Sequence, residues 1–141
     1  MKIEVYYNLH HKIFSIKSRQ GENYGKVIKH SPRVVVISPT FAVQQAGRKR
    51  VLETKQKNVH AFVRGHDLLE YIIPNGNKRL VTYDPYKYEH FVFTDTKERI
   101  YSADMAILSK VNNKPVIEVF NGRGIARNTE ELCDRTVERY A

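Results

Sequence analysis

Val34-Val35-Val36-Ile37 is an unbroken run of β-branched residues. Branching at Cβ restricts the side chain and favours extended backbone on a packed pleated surface. The run predicts a central strand. Pro39 interrupts it, and Phe41 and Val43 stand where it would resume. A central strand needs partners, and the flanking sequence supplies them as hairpins. Ile3, Val5, Tyr7 and Leu9 alternate with Lys2, Glu4, Tyr6 and Asn8, the period of a half-buried strand. Residues 13–17 read as a second strand after the polar link 8–12. A turn at 21–25 leads into a short strand at 26–30, and Ser31-Pro32-Arg33 turns the chain again.

Downstream the pattern repeats. Residues 59–64 predict a strand with Val59, Ala61 and Val63 on one face and His60, Phe62 and Arg64 on the other; Gly65 marks a bulge. Residues 68–73 continue extended. Pro74-Asn75-Gly76-Asn77 is a turn, and 79–83 is a strand expected to pair back across it. An aromatic loop at 84–88 precedes a short strand at 90–93. Residues 105–111 and 115–120 form a hairpin around Asn112-Asn113-Lys114, and Asn121-Gly122-Arg123-Gly124 ends the sheet.

Two helices are expected. Residues 45–57 are rich in helix formers, with Val51 and Leu52 as apolar anchors and Glu53 four residues before Lys57. Gly47 weakens its start by about 1 kcal/mol against Ala. At the C-terminus, Asn128 and Glu131 make a capping box, and Leu132, Cys133, Thr136, Val137 and Tyr140 share one face. The expected fold class is α+β: an antiparallel β-sheet built from hairpins, with one central helix and a C-terminal helix. Residues 1–124 form one ligand-binding domain. Residues 125–141 form an amphipathic helix for packing or oligomerisation.

A chain of 141 residues is long enough for one hydrophobic core. Its single cysteine, Cys133, excludes an internal disulfide and a cysteine-based zinc site. No apolar run approaches the roughly 18 residues of a membrane-spanning helix. The first residues lack the apolar core of a secretory signal, so a reducing cytoplasm is the expected compartment. Twenty-four Lys and Arg against fifteen Asp and Glu leave a net charge of +9. That balance favours an anionic partner.

The charge is concentrated. Between Gly47 and Arg64 lie Arg48, Lys49, Arg50, Lys55, Lys57 and Arg64 against Glu53 alone, more than half of the net charge. Arg48 and Arg50 suit bidentate phosphate contact. Lys55 and Lys57 fit a solvated helix face equally well. Arg64, inside an apolar strand, needs a partner. Aromatic rings follow at Tyr83, Tyr86, Tyr88, Phe91 and Phe93. A base can stack on a ring while Arg holds phosphate. Phe91 and Phe93 fit a core as readily; Tyr86 and Tyr88, in a proline turn, fit a surface role. In Asn121-Gly122-Arg123-Gly124 the flanking glycines let backbone approach an anion, although a hairpin exit with an incidental Arg has the same pattern. The six histidines lack metal-ligand spacing, and His60 as a general base lacks an evident nucleophile. Neither a metal nor a cofactor is expected.

Tyr6-Tyr7-Asn8-Leu9-His10-His11-Lys12, Gly25-Lys26-Val27-Ile28-Lys29-His30, Ala46-Gly47-Arg48-Lys49-Arg50-Val51-Leu52, Lys57 to Gly65, Tyr83-Asp84-Pro85-Tyr86-Lys87 and Ser102-Ala103-Asp104 together resemble a family of small phage-encoded proteins that includes the first Thoeris anti-defence family. The resemblance covers residues 3–120, with Gln45 where the family has a proline. It implies a non-enzymatic sponge in the cytoplasm of the infected bacterial host. Such a sponge holds a cyclised ADP-ribose immune signal (glycocyclic ADP-ribose) intact. It further implies homodimers assembling to hexamers, and capture of cyclic di- or trinucleotides at a separate site. The family's contacts, carried onto this chain, imply an aromatic among Tyr86, Phe91 and Phe93, with Arg64, Asn121 and Arg123. The competing expectation is a basic nucleic-acid-binding phage regulator.

Overall fold

The computed structural model describes residues 1–67, 72–74 and 76–125. The apolar run lies in the middle of the sheet, and both of its faces are covered. Val34 and Val36 point to one side, Val35 and Ile37 to the other, and none is more than 8% exposed. It opens β4 (Val34–Val43), which continues through Pro39 without ending. Before it come β1 (Lys2–Asn8), β2 (Ile13–Ser18) and β3 (Val27–Ser31). After it come α1 (Gln45–Thr54), β5 (Ala61–Asp67), β6 (Ile72–Pro74), β7 (Lys78–Thr82), β8 (Val92–Phe93), β9 (Met105–Val111), β10 (Lys114–Phe120) and β11 (Arg123–Ile125). Nine strands form one antiparallel sheet in the order β3-β2-β1-β5-β4-β9-β10-β7-β8, and β11 pairs with β6 separately.

The strand survives its proline through a bulge. Val36 and Ile37 oppose Asp67 and His66 of β5, but the next pairs are Thr40 with Arg64 and Phe41 with Val63. Ser38 is left between, at φ 50°. Its N–H donates to Asp104 O at 3.0 Å, and Pro39 O accepts from Ala103 N at 3.2 Å. Pro39 brings no N–H to satisfy. A bulge bends its strand and tightens the local twist. Gly65 is the residue that permits it. A Cβ there would stand 2.5 Å from Val36 Cγ1 and 2.6 Å from Ile37 O. The sequence places a bulge at Gly65; the irregularity lies in the neighbouring strand, and Gly65 makes room for it.

The bent sheet curls on itself. Three strand steps separate β1 from β9, about 14 Å if the sheet were flat. Yet the Tyr7 hydroxyl donates to Asn113 O, in the β9–β10 turn, at 2.9 Å. Lys110 Nζ reaches Lys12 O, in the β1–β2 turn, at 2.8 Å. The concave face encloses the main core, with Val5, Phe14, Val36, Val63, Leu108 and Val119 among its members. Val35, Ile37, Met105, Ile107 and Phe120 form a second cluster.

Several expectations are corrected. The fold is mainly β rather than α+β: a nine-stranded antiparallel sheet with α1 as the one α-helix among the described residues. The expected C-terminal helix, 125–141, lies outside the described residues but for Ile125, which belongs to β11. The central helix stops at Thr54 rather than 57. Lys55 turns left-handed at φ 61° and donates its N–H to Val51 O, so the chain can return toward β5. The strand at 78–82 pairs with β10 and β8, not back across the 74–77 turn. The 121–124 motif does not end the sheet region, because Arg123–Ile125 pairs with Ile72–Pro74.

Gly65→Ala is expected to destabilise the fold by about 1–3 kcal/mol, as an overpacked core does. Urea denaturation reads this directly. An unchanged midpoint would show that the close approach at the bulge is dispensable.

Candidate functional site

Curling leaves an opening bordered by α1, the segment 55–60 and the loop 83–86. Beneath it lies a cavity of about 430 Å³. Small-molecule sites span roughly 300–1,000 Å³. Val5, Phe14, Val63, Val81, Phe91 and Leu108 form its floor, continuous with the core. Leu9, Lys55, Gln56, Lys57, Val59 and Tyr86 form an exposed rim. None of the described residues that line it is Asp or Glu. The cavity is therefore an apolar slot with cations at its mouth.

One polar pair sits inside. His60 immediately precedes β5 and is buried at 6% exposure. Its Nδ1 lies 2.7 Å from Asn58 O, and its Nε2 lies 2.6 Å from the Tyr83 hydroxyl. The rings meet edge-on at 5.4 Å. Gly47 explains how α1 comes so close, since a Cβ there would stand 2.6 Å from His60 Cβ. The helix-weakening glycine buys this approach. Burial pushes the Tyr83 hydroxyl up to about 12; Arg48 opposes the shift and Asp84 adds to it. At neutral pH Tyr83 is protonated and a donor.

The rim is held by α1. Arg48 Nε donates to Pro85 O at 3.1 Å and to Tyr88 O at 3.0 Å. Gln45 Nε2 donates to Glu89 O at 2.9 Å. Inside the loop, Asp84 accepts from Tyr86 N at its side chain and from Tyr88 N at its carbonyl. The Lys55 ammonium sits 5.3 Å from the Tyr86 ring centroid. Such exposed cation–π contacts contribute about 0.5–1 kcal/mol.

Of the residues expected to bind ligand, Tyr86 and Phe91 line the cavity. Phe91 also packs on Phe41 and Tyr83, at 5.3 and 5.2 Å between centroids. Arg48 is occupied with the loop carbonyls. Arg50 lies exposed on α1 and outside the lining. Arg64 is on the convex face, where its Nε donates to Glu4 Oε1 at 2.7 Å. Glu4 is its direct cross-strand neighbour, so the partner an Arg requires there is a carboxylate of this chain. Phe93 is covered by the Arg79 guanidinium at 3.6 Å, and Arg79 also binds Asp95 at 3.0 Å. Asn121 is exposed just beyond β10. Arg123, in β11, pairs its backbone with Pro74.

Tyr7, Lys55 and Lys57 share one cavity, which their separation in sequence conceals. The parity that puts Val5 inward puts Tyr7 inward too, which was a readable signal. The alternation along 59–64 puts His60 on the face opposite Ala61, but it precedes the strand and turns into the cavity beside Ala61 and Val63. Among the described residues no group of three His, Cys, Asp or Glu could hold a metal ion, and no helix is long and apolar enough to cross a membrane.

Fold and cavity define a small curled-sheet protein with a ligand-sized slot. By sequence the chain belongs to the family of the Mycobacterium phage L5 gene 82 protein, whose family model matches residues 1–115. Among the described residues, that span contains every one that lines the cavity except Ile117. The gene 82 protein of Mycobacterium phage L5 is 30% identical over 115 residues, covering 77% of this chain and 90% of that protein. No solved structure matches the chain.

Tyr83 yields a pH prediction. Its folded-state value exceeds the ordinary 10.0. The unfolded chain thus loses this proton first as pH rises. Tyr83's contribution to stability is complete below pH 10 and is lost as pH climbs to about 12. Tyrosinate absorbance should show a late-titrating group, rising toward about pH 12, that is absent in Tyr83→Phe. Loss in Tyr83→Phe of a group that titrates near the ordinary value of 10.0, with the late part of the curve unchanged, contradicts the burial of Tyr83.

Proposed function

We propose that this protein captures a small nucleotide-derived anion in the cavity and releases it unchanged, acting as a phage sponge for a cyclised ADP-ribose immune signal in the infected host. The observation that carries this reading is the slot itself: aromatic and apolar walls, cations at the mouth, and no carboxylate among the described residues of the lining. The base enters between Tyr83, Tyr86 and Phe91. Sugars and phosphates stay at the polar rim of Lys55, Gln56, Lys57 and Asn58. Relative to the sequence expectation, the phosphate role passes from Arg48 and Arg64 to Lys55 and Lys57, because both arginines are engaged within the protein. The resemblance to the Thoeris anti-defence family supports the ligand class. Assembly into dimers and hexamers belongs to the same proposal.

The test is retention. Purified protein is incubated with glycocyclic ADP-ribose, separated from free ligand, and heat-denatured; the supernatant is analysed by mass spectrometry. Intact ligand should be recovered. The double variant Lys55→Ala/Lys57→Ala should weaken retention by roughly tenfold or more, the scale of lost charge-assisted hydrogen bonds. Arg64→Ala should retain ligand normally. Failure of native protein to retain ligand, or recovery of an altered mass, contradicts the proposal.

A further inference from the structure

The hydrogen bonds of His60 determine which protons it carries. Asn58 O can only accept, so His60 Nδ1, 2.7 Å away, must donate. In the neutral ring Nε2 then carries a lone pair. The Tyr83 hydroxyl, 2.6 Å away, donates to it. That commits the Tyr83 proton and leaves the oxygen of this cavity-lining residue as an acceptor. Tyr7, a second hydroxyl-bearing residue of the lining, is committed in the same sense, since it donates to Asn113 O at 2.9 Å. Two hydroxyls that could have served either way are held as acceptors.

We propose that Tyr83 Oη, held as an acceptor by His60, selects ligands that present a hydrogen-bond donor to it, such as the exocyclic amino group of a purine, and rejects those that present a carbonyl. The proposal rests on the nucleotide-capture reading and deepens it. A carbonyl in that place faces lone pair against lone pair and leaves a desolvated acceptor unpaired, which lowers affinity by roughly tenfold or more. Tyr83 touches the ligand. His60 is a positioning residue, acting through the hydroxyl proton it accepts.

The test measures affinity for ADP-ribose and for its hypoxanthine counterpart, IDP-ribose, by calorimetry. The two differ at the purine 6-position, amino in one and oxo in the other. Wild type should prefer ADP-ribose by roughly tenfold or more. Tyr83→Phe should bind both alike. His60→Leu should also lose the preference, because the freed hydroxyl can turn its proton toward a carbonyl. His60→Gln, whose Oε1 can accept from Tyr83, should keep it; a merely structural His60 would not separate these two variants. Thermal melts identify any variant that fails to fold, and Tyr83→Phe, the removal of one oxygen, is the gentlest of the three. Equal binding of both probes to wild type overturns donor selection while leaving capture standing. Binding of neither overturns this inference, and retention of glycocyclic ADP-ribose decides separately whether the capture reading falls with it. A preference that persists in Tyr83→Phe shows that another atom reads the base.

Discussion

At Ser38-Pro39 the central strand leaves regular pairing, and Gly65 lets the neighbouring strand stay close enough to continue. Everything functional follows from that local accommodation. With the bulge, β4 bends while its edges remain bonded to β5 and to the chain before β9. The sheet can then curl until Tyr7 meets Asn113 and Lys110 meets Lys12. A flat nine-stranded sheet would expose its apolar face along its whole width. The curled one encloses that face and leaves a cavity where the closure is incomplete.

The excess of positive charge is less informative than it first looks. Arg64 neutralises Glu4 across a strand pair, Arg79 binds Asp95 and covers Phe93, and Arg48 fastens a loop. These arginines act as structural forks between elements, a task suited to a planar group with several fixed donors. What remains at the cavity mouth is Lys55 and Lys57. Arg48 still matters to the site, because the loop it holds carries Tyr86 and because its charge restrains the upward shift of Tyr83.

Local pattern made much of the sheet readable. The β-branched run, the alternation at 2–9, the two hairpins around 8–12 and 112–114, and the start of α1 all depend on near neighbours in sequence. Non-local facts did not show. The pairing of β7 with β10 rather than across its own turn depends on which edge the curl presents. The persistence of β4 through Pro39 depends on Gly65, twenty-six positions away in the chain. Within the site, ring chemistry was legible at Tyr86 and Phe91, where a proline turn and an aromatic cluster draw attention. The fate of the arginines was not, since nothing near Arg64 in sequence indicates that Glu4 lies opposite. Gly47 reads as a helix defect until His60 is seen against it.

The central claim is that the cavity between Lys55, His60, Tyr83 and Tyr86 is where a ligand is held. Chemical-shift mapping of the native protein with ADP-ribose tests this most directly. The account predicts perturbations concentrated at residues 55–60 and 83–86 and at Tyr7. Perturbations confined to the convex face around Arg64, or to the strand 123–125, with the cavity residues unmoved, would contradict it.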